Sequence, residues 1–306
     1  MPPLHIATPL LESPAMSGAD RTVWLKMEAL QPAGSFKNRG VGHACSVYAS
    51  RGATRFISSS GGNAGIACAY AGRRLGIAVT VVVPETASQR AIDLIRQEQA
   101  EVIVHGASFQ EANDYAQSLL RDDDAFIHPF DDPLLWEGHA SMIDEVAAAG
   151  LKPDAVVLSV GGGGLLCGVV EGLRRQGWHD VPVIAAETSG AASLAAALTA
   201  GELVTLPGIT SIATSLGARR VAQAAFDIAR SHPVHSAVVS DAAAVAACLR
   251  LMDEHRIVVE PACGAALAAA EHGDLLAGAR TVLVIVCGGV TATVAQLQRW
   301  SAELTD

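Results

Sequence analysis

The sequence predicts an α/β protein with mainly parallel, twisted sheets flanked by helices. Strand-length apolar runs alternate with helix-length amphipathic stretches over most of the 306 residues, the signature of βαβ units. Glycine-rich turns, Gly61-Gly62 and Gly161 to Gly164, separate strand-like runs from helix-like ones. Thr281–Val286 reads as a short apolar strand that should be central in its sheet and covered on both faces.

Thr22–Met27 is the first apolar run, and a helix opens near Lys37 with Val41, Ala44, Cys45 and Tyr48 on its apolar face. Phe56–Ser60 reads as a strand and Ala64–Leu75 as the helix after it. Val79–Pro84, rich in β-branched residues and closed by proline, is the next strand, followed by a helix over Ser88–Gln99. Glu101–His105 and Ser108–Leu120 repeat the unit. Beyond the acidic, proline-containing stretch Arg121–Pro133 come a helix over Trp136–Ala149, a strand over Ala155–Val160, a helix over Leu165–Gln176 and a strand over Pro182–Glu187. Alanine-rich helices cover Asp241–Leu251 and Gly264–Ala270, and a final helix starts near Ala292. This pattern divides the chain into a small domain, 41–133, and a large one, 1–40 plus 134–306. In open α/β sheets ligands bind beyond the carboxyl ends of strands, so the loops after Ser60, Val160, Glu187 and Val286 are the ones to inspect.

Composition narrows the function. With 31 acidic against 21 basic residues the net charge is −10, and the arginines are scattered, so no footprint exists for nucleic acid or an anionic membrane surface. No apolar run reaches the ~20 residues of a bilayer span. Met1 to Met16 carries no basic cluster ahead of a hydrophobic stretch, so a cytoplasmic location is expected. The six cysteines show no C-x-x-C spacing and read as buried, reduced thiols.

Lysine is scarce: Lys26, Lys37 and Lys152 are the only three. Lys37 stands at the front of a helix, where the dipole disfavours an ammonium and Arg39 adds a second cation. Both effects push the amine pKa down, the condition for Schiff-base chemistry. A lysine snorkelling from a first helical turn is the other reading of the same position. The turn Ser58-Ser59-Ser60-Gly61-Gly62-Asn63 offers amides and hydroxyls to a carboxylate, or is an ordinary βα turn with a serine cap. The four consecutive glycines after Val160 let backbone amides and a helix dipole hold a phosphate. They fit neither a P-loop nor G-x-G-x-x-G, although Glu187, closing the next strand, keeps a dinucleotide site open. No zinc spacing or serine-nucleophile elbow is present. The histidines, including His128 and His139, read as core or surface residues.

Taken together, Ser35-Phe36-Lys37, Ser60-Gly61-Gly62-Asn63, the tetraglycine run and Cys287-Gly288-Gly289 resemble the fold-type II pyridoxal-phosphate enzymes, which are tryptophan synthase β-like. Within them the chain is most similar to the L-serine dehydratase (serine/threonine ammonia-lyase) family. The similarity runs from Thr8-Pro9-Leu10 through Phe130-Asp131-Asp132-Pro133 and Trp136-Glu137-Gly138-His139-Ala140 to Glu260-Pro261-Ala262-Cys263-Gly264 and Cys287. The resemblance implies that Lys37 holds pyridoxal 5′-phosphate covalently and acts as base, with Phe36 against the ring. Gly161, Gly162, Gly163, Gly164 and Leu165 would bind the phosphate by backbone amides, and the large domain would be the cofactor-binding one. Asn63 would bond the ring hydroxyl, Ser60 and Gly61 would form the loop gripping the substrate carboxylate, and Cys287 would face the pyridine nitrogen.

It further implies a monovalent cation such as K+ at the Glu187 side chain and the carbonyls of Ala191, Leu216 and Ala218, and a homodimer. Position 61 is glycine where racemases of this fold carry serine and some dehydratases alanine; this implies elimination without racemisation, in a roomier pocket. Because the chain ends at Asp306, no regulatory module and no feedback by isoleucine are expected. The activity implied is α,β-elimination of L-serine, and also L-threonine, to the 2-oxo acid and ammonia. The alternatives are another fold-type II eliminase or β-replacement enzyme, a Rossmann-type NAD-dependent dehydrogenase, and a sensor that binds a small molecule without turnover.

Overall fold

The computed structural model describes residues 2–304. Its first half runs β1 (Leu10–Glu12), β2 (Thr22–Lys26), α1 (Lys37–Ser50), β3 (Arg55–Ser58), α2 (Asn63–Leu75), β4 (Ala78–Val83), α3 (Gln89–Gln97), β5 (Glu101–Val104), α4 (Phe109–Ser118), β6 (Asp124–Phe126) and α5 (Pro133–Ala148). The second runs β7 (Ala155–Ser159), α6 (Gly164–Arg175), β8 (Val183–Thr188), α7 (Ser193–Ala200), α8 (Gln223–Ser231), β9 (Val234–Val239), α9 (Asp241–His255), α10 (Pro261–Ala269), β10 (Thr281–Ile285) and α11 (Val294–Glu303). Each element expected from the sequence is present, with ends moved by a few residues. Sequence reading assigned no element to β1, β6, α7, α8 or β9.

Two compact units form. The first, Met1–Ile6 with Gln31–His139, holds a four-stranded, all-parallel sheet in the order β5-β4-β3-β6. Ile57 and Val82 on the sheet pack with Ala112 and Ala116 of α4, and Phe126 closes over them. Small residues on α4 let the helix sit close to the strands, where dispersion contacts accumulate. At the carboxyl end of β3 lies the Ser59–Gly62 turn, and beyond the neighbouring β6 lies Pro129.

Residues 2–6, 31–40 and 134–139 group with this first unit, where the sequence pattern places them in the larger domain. The reason is a close crossing of two helix N-termini. A Cβ on Gly40 of α1 would lie 2.5 Å from Leu135 O, and one on Gly138 of α5 would lie 2.6 Å from Arg39 O. Bare backbones meet there, and the two helix starts belong to one packed body.

The second unit, Ala7–Leu30 with Ala140–Asp306, holds a six-stranded sheet in the order β1-β2-β10-β7-β8-β9. Only β1 runs antiparallel. As expected for an apolar strand, β10 is internal, with Leu283 opposite Trp24 on one side and Val156 on the other. Val282 to Ile285 are fully buried. The carboxyl ends of three adjacent strands, β10, β7 and β8, deliver Cys287, the tetraglycine turn and Glu187 to one edge of this sheet. Among the described residues no helix is long and apolar enough to cross a membrane.

Candidate active site

In the first unit the Lys37 turn is built from local polar bonds. Gly34 adopts φ +73°, and its N–H reaches Gln31 O at 2.7 Å. Ala33 N–H donates to Asn38 Oδ1 at 3.1 Å, while Asn38 Nδ2 donates to Leu4 O at 2.9 Å. Phe36, the residue before α1, supplies no side-chain cap. Lys37 is half-buried; its Nζ donates to Pro129 O at 2.5 Å and stands 5.0 Å from the Phe36 ring centroid. The amine is therefore held at the carboxyl end of β6, and the lysine is not a solvated snorkelling residue. His128, in the same loop, has its pKa lowered chiefly by burial, with Lys37 adding to the effect.

The adjacent strand β3 ends in the serine–glycine turn. Ser60 Oγ accepts from Gly62 N–H at 3.4 Å, and Asn63 is the buried first residue of α2. Gly65 is required: a Cβ there would lie 1.9 Å from Ser60 O. Ser59 Oγ donates to Asn113 Oδ1 at 2.8 Å, so this hydroxyl braces the loop. A Cβ on Gly61 would meet Val83 Cγ1 at 3.2 Å and Ala87 Cβ at 3.3 Å. Val83 and Ala87 fill the volume that glycine vacates, so the roomier pocket expected at this position is not found on the Cβ side.

In the second unit, β7 runs through Val160 into the glycines. Gly163 has φ +97°, and a Cβ on it would lie 2.2 Å from Ala225 Cβ. A Cβ on Gly161 would be 3.1 Å from Leu216 Cα, and Gly162 O accepts from Ala222 N–H at 3.0 Å. The N-terminus of α6 has no side-chain cap, and neither does that of α2. By contrast α3, α4, α9 and α11 are capped by Ser88, Ser108, Ser240 and Thr293. The first N–H groups of a helix lack partners within it, so an uncapped, glycine-lined start presents them to an anion.

Cys287 is buried next to Cys263 and Ser159, and Ser159 lies two residues before Gly161. Its thiol pKa is raised well above the ordinary range, first by the hydrogen bond with Cys263 and then by burial. Gly288 and Gly289, at φ +89° and +114°, carry the chain away. Glu260 Oε2 accepts from Thr291 Oγ1 at 2.6 Å, and a Cβ on Gly289 would strike the Glu260 side chain at 2.0 Å. Glu260 and Thr291 thus clamp the segment that bears Cys287, a role the sequence did not reveal.

Glu187 is fully buried, with its pKa pushed up to about 7 by that burial. Its two oxygens accept from the backbone N–H groups of Leu194 and Ala195 at 2.8 Å each. The carboxylate thus caps the start of α7 from the neighbouring strand. Ala191 and Leu216 are both buried, and Leu216 O accepts from Ala218 N–H at 2.8 Å. Among the described residues no group of three or more His, Cys, Asp or Glu side chains could hold a metal ion. Carboxylate and carbonyl oxygens keep a further lone pair each, the donor type a hard monovalent cation takes.

Phe36 and Lys37 thus stand together, as do Ser60, Gly61 and Asn63 in one turn, and Gly161 to Leu165 with Leu216. Taken separately, the first unit offers a half-buried amine and the second an uncapped, glycine-lined helix start and a buried thiol, groups of the kinds that a phosphorylated pyridine aldehyde takes. The model for the pyridoxal-phosphate dependent enzyme family matches residues 2–288. Over 99% of this chain and 96% of the other, it is 48% identical to a Homo sapiens protein named L-serine dehydratase/L-threonine deaminase. It is 42% identical to a Dictyostelium discoideum L-serine dehydratase, covering 97% of this chain and 91% of that one. Among solved structures, a fungal L-serine ammonia-lyase from Rhizomucor miehei superposes with a TM-score of 0.93 at 34% identity, covering 99% of each chain. The chain belongs to the pyridoxal-phosphate dependent enzyme family, with the fold-type II architecture expected from its sequence.

Proposed function

We propose that the chain is a pyridoxal-phosphate-dependent ammonia-lyase acting on L-serine, and also on L-threonine, to give the 2-oxo acid and ammonia. The observation that carries this reading is the Lys37 amine held at a strand's carboxyl end, in a chain 48% identical over nearly its whole length to a protein named for that activity. When bound, the cofactor withdraws electrons from the substrate's Cα. Lys37 would hold the cofactor covalently through Nζ; once the substrate's own amine has taken its place, the freed Nζ would accept the Cα proton as general base.

Ser60 and the uncapped amides at the start of α2 bind the substrate carboxylate. Gly161 to Gly164 and Leu165 hold the phosphate through backbone N–H groups, and Phe36 lies against the ring. Asn63 bonds the ring hydroxyl, and Cys287 faces the pyridine nitrogen as a neutral thiol. Gly61 has no group that could move a proton, so elimination is not accompanied by racemisation. A monovalent cation such as K+ is taken up by Glu187 with the carbonyls of Ala191, Leu216 and Ala218. The protein works as a cytoplasmic homodimer; six buried free cysteines support a reducing compartment.

The test is a spectrum and a turnover assay. Purified protein given pyridoxal phosphate should turn yellow, lose the colour on borohydride, and release pyruvate from L-serine and 2-oxobutanoate from L-threonine. A protein that stays colourless would end the reading. Formation of β-substituted amino acids in place of pyruvate would assign the chain to a β-replacement enzyme of the same fold. Sedimentation velocity checks the dimer.

A further inference from the structure

We propose that His139 is a positioning residue for Lys37, a role that rests on the function proposed above. His139 Nδ1 accepts from Gly40 N–H at 3.2 Å, so the ring proton sits on Nε2. The Phe36 ring leans on the same imidazole, with centroids 4.8 Å apart and planes at 51°. In the first turn of α1, Asn38 N–H goes to Ser35 O at 3.1 Å and Arg39 N–H to Phe36 O at 3.0 Å, but Gly40 N–H goes to the histidine. The neighbour before Lys37 and the glycine three residues after it therefore both rest on one side chain.

The fit is close: a Cβ on Gly40 would lie 2.5 Å from His139 Cε1. His139 is fully buried, and Nε2 has no hydrogen-bond partner. A buried donor left unpaired is a burden that an apolar residue of similar size would not carry. What the imidazole adds over such a residue is the acceptor at Nδ1. Burial, with the Lys37 and Arg39 cations, keeps the ring neutral and that lone pair free for Gly40.

The test uses the apoprotein, where only three lysines compete for label. Pyridoxal phosphate is added, borohydride stops the reaction at timed points, and modification of Lys37 is quantified by peptide mass spectrometry, with Lys152 as internal reference. His139→Leu keeps bulk and removes the acceptor; His139→Asn returns an acceptor at the Nδ1 position. The expected result is at least a tenfold slower labelling of Lys37 in the leucine variant, with kcat lowered and KM unchanged, and recovery to within threefold of wild type in the asparagine variant. Labelling of the leucine variant at the wild-type rate, or an asparagine variant no better than leucine, would overturn the proposal while leaving the role of Lys37 intact. Should the leucine variant not fold, the asparagine variant decides alone: tenfold slower labelling at an unchanged melting temperature overturns the proposal. Unlabelled Lys37 in the wild type would overturn the proposed function, and the role of His139 with it.

Discussion

The Glu187 carboxylate and the Leu194 backbone N–H meet at 2.8 Å at the start of α7, a helix whose own N-cap, Ala192, has nothing to offer. The cap comes from the neighbouring strand. Its carboxyl is held at about 7 against an ordinary 4.5, because burial outweighs the two amide bonds. A raised carboxyl pKa means the folded state binds the proton more tightly, so this stabilisation is complete below pH 4.5 and is lost as pH rises through about 7. Wild type should therefore lose stability relative to Glu187→Gln over that window, by roughly 3–3.5 kcal/mol at the limit, in paired urea melts. A cation beside the carboxylate favours its ionised form, so KCl in place of choline chloride should flatten the slope. A pH-independent difference would refute the assignment, and a slope indifferent to K+ would remove the cation.

Lys37→Ala should abolish pyruvate formation to the extent that a positioned base contributes, about 10²–10⁴-fold or more, since the covalent attachment is lost as well. The folded apoprotein loses chiefly the bond from Nζ to Pro129 O, about 1 kcal/mol. Coupled assay and thermal melts on the same preparation check both halves. A variant with wild-type turnover would sink the role of Lys37.

Two glycines should respond differently to alanine. At Gly163 the φ of +97° and the 2.2 Å approach to Ala225 add strain to overpacking, so Gly163→Ala should lose about 2–4 kcal/mol and most affinity for pyridoxal phosphate. At Gly61 the nearest atoms are 3.2–3.3 Å away on Val83 and Ala87, and the lower entropy of the unfolded chain offsets part of the crowding. Gly61→Ala should stay within about 1 kcal/mol of wild type. Urea melts and equilibrium titration of cofactor separate the cases; equal losses at both positions would contradict this account.

Much of this architecture could be read from the chain because its signals are local. β10 announces itself as an apolar run, and the tetraglycine turn as four residues without side chains. Lys37 stands out because lysine is scarce. β1 and β6 escape detection because three residues are too few for an alternation, and β9 because the exposure along it is mixed. The partner of Glu187 was hidden for a different reason: α7 carries no capping residue of its own, so nothing near Leu194 marks a helix start awaiting an acid. Val83 and Ala87 behind Gly61, and Glu260 behind Gly289, are contacts between distant segments that no periodicity encodes.

The thiols supply the last prediction. All six cysteines are buried and free, and the pKa values of Cys45, Cys248 and Cys287 are raised well above the ordinary range. For Cys45 and Cys248 burial is the leading cause; for Cys287 it is the bond with Cys263. The thiolate is the reactive species, so folded protein at pH 7.5 should resist iodoacetamide at every cysteine, and denaturant should expose all six. Cys287 is the informative one. If it faces a pyridine nitrogen, its proton must be retained, because a thiolate there would repel the ring's lone pair, whereas a neutral thiol can donate to it. Rapid alkylation of Cys287 in the folded apoprotein, read by peptide mass spectrometry, would show a thiolate and overturn that assignment; protection that persists when cofactor is added is what a neutral donor requires.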